Sequence, residues 1–150
     1  MAASKTAIRR IAVGVDGSDS SAAAVKWAIR LAKGMGSQVT AIFAVDIPAY
    51  FPEPEELPFV LDDEWRAGMK AEFEDKWCKP LKVAGVRHRA VMEDGRAATV
   101  IANVAERENA DIIVVGRRGR GGVAELLLGS ASHELVLHSR RPVLVVSAKG

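Results

Sequence analysis

The residues with the most chemistry in them lie between Asp111 and Val146. Arg117, Arg118 and Arg120 place three arginines within four positions, interleaved with glycines at 116, 119, 121, 122 and 129. Glycine leaves out a Cβ where a ligand could meet bare backbone. The guanidinium fork matches phosphate oxygens. Ser130 stands where it could cap the following helix, and a helix start there would offer the N–H groups of Ala131 and Ser132 to an anion. The apolar run Ile112 to Val115 stops abruptly at Gly116, the pattern of a parallel strand covered on both faces. The chemistry indicated is the binding of phosphate.

Other chemistries fit less well. A phosphate loop of the GxxxxGK[ST] type needs a lysine that this stretch lacks. Gly119-Arg-Gly121-Gly-Val-Ala124 satisfies a loose GxGxxA pattern. It follows a late strand rather than the first, however, and no acidic residue suited to a ribose stands about twenty positions on. His133 and His138 are five apart on one expected helix, whereas a shared metal prefers i and i+4. His88 reads as a strand residue. No Ser-His-Asp ordering, carboxylate pair or metal-ligand spacing is visible, so the pattern is a binding site without an evident general base.

The elements that must position this loop alternate between strand and helix. Ile8 to Val15 predicts the first strand, ending at Asp16-Gly17-Ser18-Asp19, where Ser18 or Asp19 could cap a helix. That helix carries Ala24, Trp27, Ala28 and Leu31 on one face and ends before Gly34. Gln38 to Val45 is the second strand. From Asp46 to Leu61 the pattern dissolves among Pro48, Pro52, Pro54 and Pro58, giving a loop or a lid at a strand's C-terminal end. Asp62 to about Ala84 is helical, with a core stripe of Trp65, Met69, Phe73, Trp77 and Leu81 that Pro80 should kink or split.

Val86 to Met92 is the third strand, and Asp94-Gly95 a turn. Ala97, Val100, Ile101, Val104 and Ala105 make the apolar face of a third helix, with Asn109 as a left-handed stop. Asp111 onward is the fourth strand. A last helix from Ser130 to about His138 should turn Leu135 and Val136 inward, and Pro142-Val-Leu-Val-Val146 is the fifth strand. Strand–helix alternation implies right-handed crossovers and a parallel sheet. The expectation is α/β: one doubly wound domain, 1–150, with five strands and four helices.

Composition bounds the rest. The chain has 150 residues, 49% hydrophobic and 27% charged, enough for one proper core. A net charge of +2 argues for neither nucleic acid nor a membrane surface. The eight aromatic residues all lie outside the basic loop, so no stacking platform accompanies the charge. No apolar run has the length of a membrane span, and the N-terminus lacks a signal peptide's apolar core. A single cysteine, Cys78, rules out an internal disulfide and fits a cytoplasmic protein.

Three placed segments carry a family resemblance. Gly116-x2-Gly119-x9-Gly129-Ser130, Val13-Gly-Val-Asp16-Gly-Ser18 and Pro142-Val-Leu-Val-Val146 together resemble the ATP-binding branch of the universal stress protein family. The similarity covers nearly the whole chain. It implies a Rossmann-like sheet of order 3-2-1-4-5, whose order reverses between strands one and four, so that Asp16 and Gly116 face each other across one crevice. Asp16, with no partner in the local sequence, would accept a ribose hydroxyl or orient a metal's water; its plainer role is a turn or cap. In the family the residue matching Val45 contacts the base, mainly through backbone.

The candidate binding set is Val15, Asp16, Val45, Gly116, Arg118, Gly119, Arg120, Gly129, Ser130, Ala131 and Ser132. Many family members have a small residue where Arg117 stands, which leaves Arg117 either inward or on the rim. The ligand expected is ATP with magnesium, in a nucleotide-dependent stress-response regulator that hydrolyses ATP slowly and incidentally if at all. The resemblance also implies a homodimer through Val143 to Ser147. Three readings compete: a cyclic-AMP-binding relative, an adenine-nucleotide hydrolase or nucleotidyl transferase of similar fold, and an interaction module with a vestigial pocket.

Overall fold

The computed structural model describes residues 7–46, 62–118 and 128–148. Five parallel strands form one sheet in the order β3-β2-β1-β4-β5. They are β1 (Arg10–Gly14), β2 (Gln38–Val45), β3 (His88–Asp94), β4 (Ile112–Gly116) and β5 (Val143–Val146). The crossovers among the described residues include α1 (Asp19–Met35), α4 (Ala97–Arg107) and α5 (Ser130–His138). Between β2 and β3 runs one broken helix: α2 (Asp63–Ala71), a π-helical stretch (Glu72–Trp77) and α3 (Lys79–Val83). Counting it once, four helices flank the sheet among the described residues, as the sequence pattern predicts.

Each interior strand is apolar on both sides, because each sheet face is covered. Ile11, Val13, Val39, Phe43 and Val114 pack on the side of α1 and the broken helix. Ala12, Ile42, Ala44, Ile113 and Val115 pack on the side of α4 and α5. The first side is filled by aromatic bulk. The ring centroid of Phe43 lies 5.5 Å from that of Phe73 and 5.0 Å from that of Trp77, the latter edge-on. Each such pair contributes about 0.5–1.5 kcal/mol beyond burial. The second side is built largely from alanine and valine.

Helix ends follow local chemistry. Ser18 caps α1 by accepting the Ser21 N–H, and Gly36, at φ 67°, closes it with an N–H to the Ala32 carbonyl. The stop is therefore Gly36 and not Gly34. A helix tolerates an internal glycine, but the left-handed closing turn calls for one. Asn109, at φ 54°, makes the left-handed turn that its type predicts. Asp62 caps α2 through the Trp65 N–H, and Pro80 sits in the first turn of α3. The four-residue stripe from Trp65 to Leu81 drifts around an ordinary helix of 3.6 residues per turn. The wider π turn at Glu72–Trp77 rotates it back, so Phe73 and Leu81 are both fully buried.

One inward assignment is corrected. Leu135 is 2% exposed, but Val136 is 51% exposed. Adjacent helical residues point about 100° apart, and Val136 falls on the outer side of α5. No described helix is long and apolar enough to cross a membrane.

Cys78, between the π turn and α3, is buried. Burial first, then the nearby Glu74 carboxylate, pushes its thiol up to about 12, which suppresses the reactive thiolate. The native protein should resist alkylation by iodoacetamide at pH 8 and react fully once unfolded in urea, as mass spectrometry would record. Rapid labelling of the native chain would contradict this packing.

Candidate functional site

β1 has β2 on one side and β4 on the other, so consecutive crossovers depart to opposite sides of it. A crevice opens at such a reversal beyond the strands' carboxyl ends. Here its floor is Gly14, Val15 and Val115, its β2 side is Ile42 and Ala44, and α4 contributes Ala97 and Ile101. Asp16, Ser18, Ser21, Gly116, Arg118, Ala131 and Ser132 complete it. One part of the cleft is thus apolar, and another gathers hydroxyls, a carboxylate, a guanidinium and a helix start.

The turn after β1 is a closed ring of hydrogen bonds. Asp16 Oδ1 accepts from Ser18 N (2.9 Å) and Ser18 Oγ (2.5 Å). Ser18 Oγ accepts the Ser21 N–H at 3.1 Å. Ser21 Oγ accepts the Asp16 N–H (3.2 Å) and donates to the Ser18 carbonyl (3.1 Å). Asp16 is therefore not without a local partner, as the sequence suggests. Ser18, two residues on, engages it in an Asx turn. The plain turn role is real, and it also fixes the carboxylate at the cleft's edge.

Gly116 serves a purpose other than ligand access. A Cβ there would stand 2.5 Å from Ser20 Cβ and 2.6 Å from the Ser20 carbonyl carbon. Its missing side chain lets the start of α1 lie against the end of β4. By strand alternation, Gly14 points the opposite way, where a Cβ would meet Ile101 Cδ1 at 2.8 Å.

Around α5 the cap is Gly129, with Ser130 as the first helical residue and exposed; Ser130 is not the N-cap. The reason is the Arg117 carbonyl. It accepts the Gly129 N–H at 2.7 Å and Ser132 Oγ at 2.9 Å, which pulls the chain into the helix one residue early. Ser132 Oγ also lies 3.1 Å from the Gly129 carbonyl, so its one proton is committed to backbone. The helix ladder begins with His133 N–H to the Gly129 carbonyl at 3.0 Å. The N–H groups of Ser130, Ala131 and Ser132 are accordingly those that an α-helix leaves for an external acceptor.

Arg118 lines the cleft, and its Nε is the buried side-chain nitrogen that has no hydrogen-bond partner among the described residues. A buried, unpaired guanidinium N–H is costly unless an anion arrives to accept it.

Of the expected binding set, Val15, Asp16, Gly116, Arg118, Ala131 and Ser132 come together here. Gly129 and Ser130 stand at the adjoining helix start. Gly119 and Arg120 lie outside the described residues, as does 47–61 of the proposed lid. Val45 ends β2 with its side chain 1% exposed and packed with the aromatic core on the other face, and its carbonyl accepts the Gly95 N–H at 3.1 Å; the contact expected of it is through backbone. The period of two puts the side chains of Ile42 and Ala44 in the cleft. Ala97 and Ile101 were legible only as core, because a helix face that lines an apolar slot uses the same residues as one that packs.

A family model described as the universal stress protein family matches residues 7–147. Universal stress protein MJ0531 of Methanocaldococcus jannaschii is 36% identical over 141 residues, covering 92% of this chain and 81% of that protein. Protein MJ0577 of the same organism superposes with a TM-score of 0.79 at 26% identity, over 93% of this chain and 96% of that one. A universal stress protein in complex with cAMP superposes with a TM-score of 0.72 at 25% identity, over 95% and 99%.

The packing role of Gly116 has a direct test. Gly116→Ala should destabilise the ligand-free protein by roughly 1–3 kcal/mol, the usual cost of overpacking. The melting temperature followed by circular dichroism should fall by several degrees. An unchanged melting temperature would show that this glycine does not set the approach of α1.

Proposed function

The chain belongs to the universal stress protein family, and from that premise we propose that it binds an adenine nucleotide, ATP, as a nucleotide-dependent stress-response regulator. The observation that carries this reading is the pairing, in one cleft, of an apolar slot with an unsatisfied cationic end. Ile42, Ala44, Ala97, Ile101 and Val115 suit a flat base. Arg118 Nε and the N–H groups at the start of α5 suit phosphate. Asp16, held by Ser18, would accept a ribose hydroxyl or orient a water on magnesium. In this proposal Gly119 and Arg120 complete the phosphate end. Any hydrolysis is slow and secondary to binding.

The proposal extends to assembly. Residues 1–150 act as one cytoplasmic domain that pairs with a second copy through Val143 to Ser147. β5 is an outer strand of the sheet and is wholly apolar, which leaves backbone groups ready for a partner.

A second reading has one specific observation in its favour: the relative in complex with cAMP, at 25% identity. Its ligand carries a single phosphate charge. An Arg118 Nε with no partner among the described residues, together with three helix-start N–H groups, suits a more highly charged group.

The test is the melting temperature of the purified protein with ATP, ADP, AMP and cyclic AMP, with and without magnesium. A ligand that binds only the folded state at a hundredfold excess over its dissociation constant stabilises it by about 2.7 kcal/mol. ATP should give the largest shift. Arg118→Gln should weaken ATP by about tenfold or more, since a hydrogen bond to a charged group is worth roughly 1.5–3 kcal/mol. A shift with cyclic AMP alone would move the function to the second reading. No shift with any nucleotide would leave an interaction module.

A further inference from the structure

The face of the sheet opposite the cleft carries a second depression, between β3 and the broken helix before it. Its volume is about 380 Å³. That helix runs antiparallel to β3, as the crossover between two parallel strands requires. Arg66, Lys70 and Glu74 line the helix wall, each step of four residues rising roughly 6 Å. Asp94, Met92 and Ala90 line the strand wall, each step of two rising roughly 6.6 Å. The two series therefore run level. At the upper level Arg66 holds Asp94 in a two-pronged contact of 2.7 and 2.8 Å. Lys70 and Glu74 stand exposed at the levels of Met92 and Ala90, and neither side chain has an ion pair or hydrogen bond among the described residues.

The strand wall is also an edge, because β3 ends the sheet. Its ladder to β2 uses alternate residues. The Arg87 carbonyl accepts the Val39 N–H at 2.9 Å, and the Gly95 N–H reaches the Val45 carbonyl at 3.1 Å. Arg89, Val91 and Glu93 share that parity and turn their backbone groups to β2, so His88, Ala90 and Met92 turn theirs outward. Ala90 and Met92 thus present both groove lining and outward N–H and C=O groups. Proline, bulges and inward charges are the usual guards of such an edge. β3 has no proline, its register with β2 is unbroken, and Arg89 and Glu93 are held on the other face by Glu108 and Arg107.

We propose that this edge and groove take an extended peptide segment of another protein, added antiparallel to β3, with an acidic side chain at Lys70 and a basic one two residues later at Glu74. Antiparallel pairing is the more stable per residue and runs the peptide from the level of Lys70 to that of Glu74, which sets the order of its charges. An extended chain repeats its side-chain direction every two residues, a step that matches the rise from Lys70 to Glu74. Backbone hydrogen bonds supply affinity in this mode, and alternate side chains supply specificity. A second copy of β3 fits less well, since on this face it offers His88, Ala90, Met92 and Asp94, with no opposite charges two residues apart. The carboxylates of Glu74, Glu93 and Asp94 oppose a nucleic acid or an anionic membrane.

The test is isothermal titration calorimetry with two short synthetic peptides, acetylated and amidated, that differ only in a central Glu-Val-Lys or Lys-Val-Glu between threonines. The unsubstituted chain should bind the first about fivefold or more tightly than the second, because two attractive charge pairs become repulsive. Exchanging the wall charges, Lys70→Glu with Glu74→Lys, alters two exposed residues and should invert that preference. Methylating the amide nitrogens of the peptide's Glu and Lys removes the donors that face Ala90 and Met92, and should abolish binding. Methylating the central valine, whose N–H points away, should be tolerated. No binding of either peptide, equal binding of both, a preference that survives the exchange, or indifference to methylation would each overturn the proposal. So would concentration-dependent shifts of the His88 to Asp94 amides without peptide, which would give the edge to a second copy. The outcome does not depend on nucleotide, because Lys70 and Glu74 lie on the face away from the cleft.

Discussion

The contact on which the rest depends is backbone against backbone: the first turn of α1 lying on the end of β4, which only a glycine at 116 permits. α1 arises from β1, yet here it leans over β1's neighbour. That lean brings the Asp16–Ser18–Ser21 ring beside the turn that carries Arg117 and Arg118. The Arg117 carbonyl then gathers Gly129 and Ser132, which fixes where α5 begins. One steric allowance therefore orders both polar sides of the cleft.

The two faces of the sheet divide the labour of folding and binding. Phe43, Phe73, Trp77 and Leu81 concentrate bulk on the α1 face, and full burial of such a side chain contributes about 1.5–3 kcal/mol. The opposite face is rich in alanine, and Ala44, Ala97 and Ala131 are too small to fill the crevice that they line where the strand order reverses. Space for a ligand follows from that choice. The glycine of β1 at position 14 keeps the floor open as well, since any larger residue would press on Ile101.

Much of the fold was legible because periodicity reports burial. β2, α5 and β5 have the bounds that their apolar patterns predict, and the order 3-2-1-4-5 agrees with the resemblance. The site was legible in part. Arg118, Asp16 and the α5 start were found from residue type and placement. What escaped were matters of parity and of partner. Val45 and Ala44 are adjacent in sequence but face opposite ways, and residue type does not say which face holds the cleft. Ser130 looked like a cap because hydroxyls usually are. The carbonyl that makes Gly129 the cap comes from Arg117, twelve residues earlier, through a contact that only the folded chain creates. Gly116, which reads as bare backbone for a ligand, also makes room for a helix.

The most direct measurement of the central claim is a 1H–15N correlation spectrum of the labelled protein titrated with ATP and magnesium. The amides of Val15, Asp16, Arg118, Ala131 and Ser132 should shift together and saturate with one affinity. Those of α2 and α3, on the far face, should stay in place. Shifts confined to the far face, or none at all, would contradict the account of this cleft as the nucleotide site.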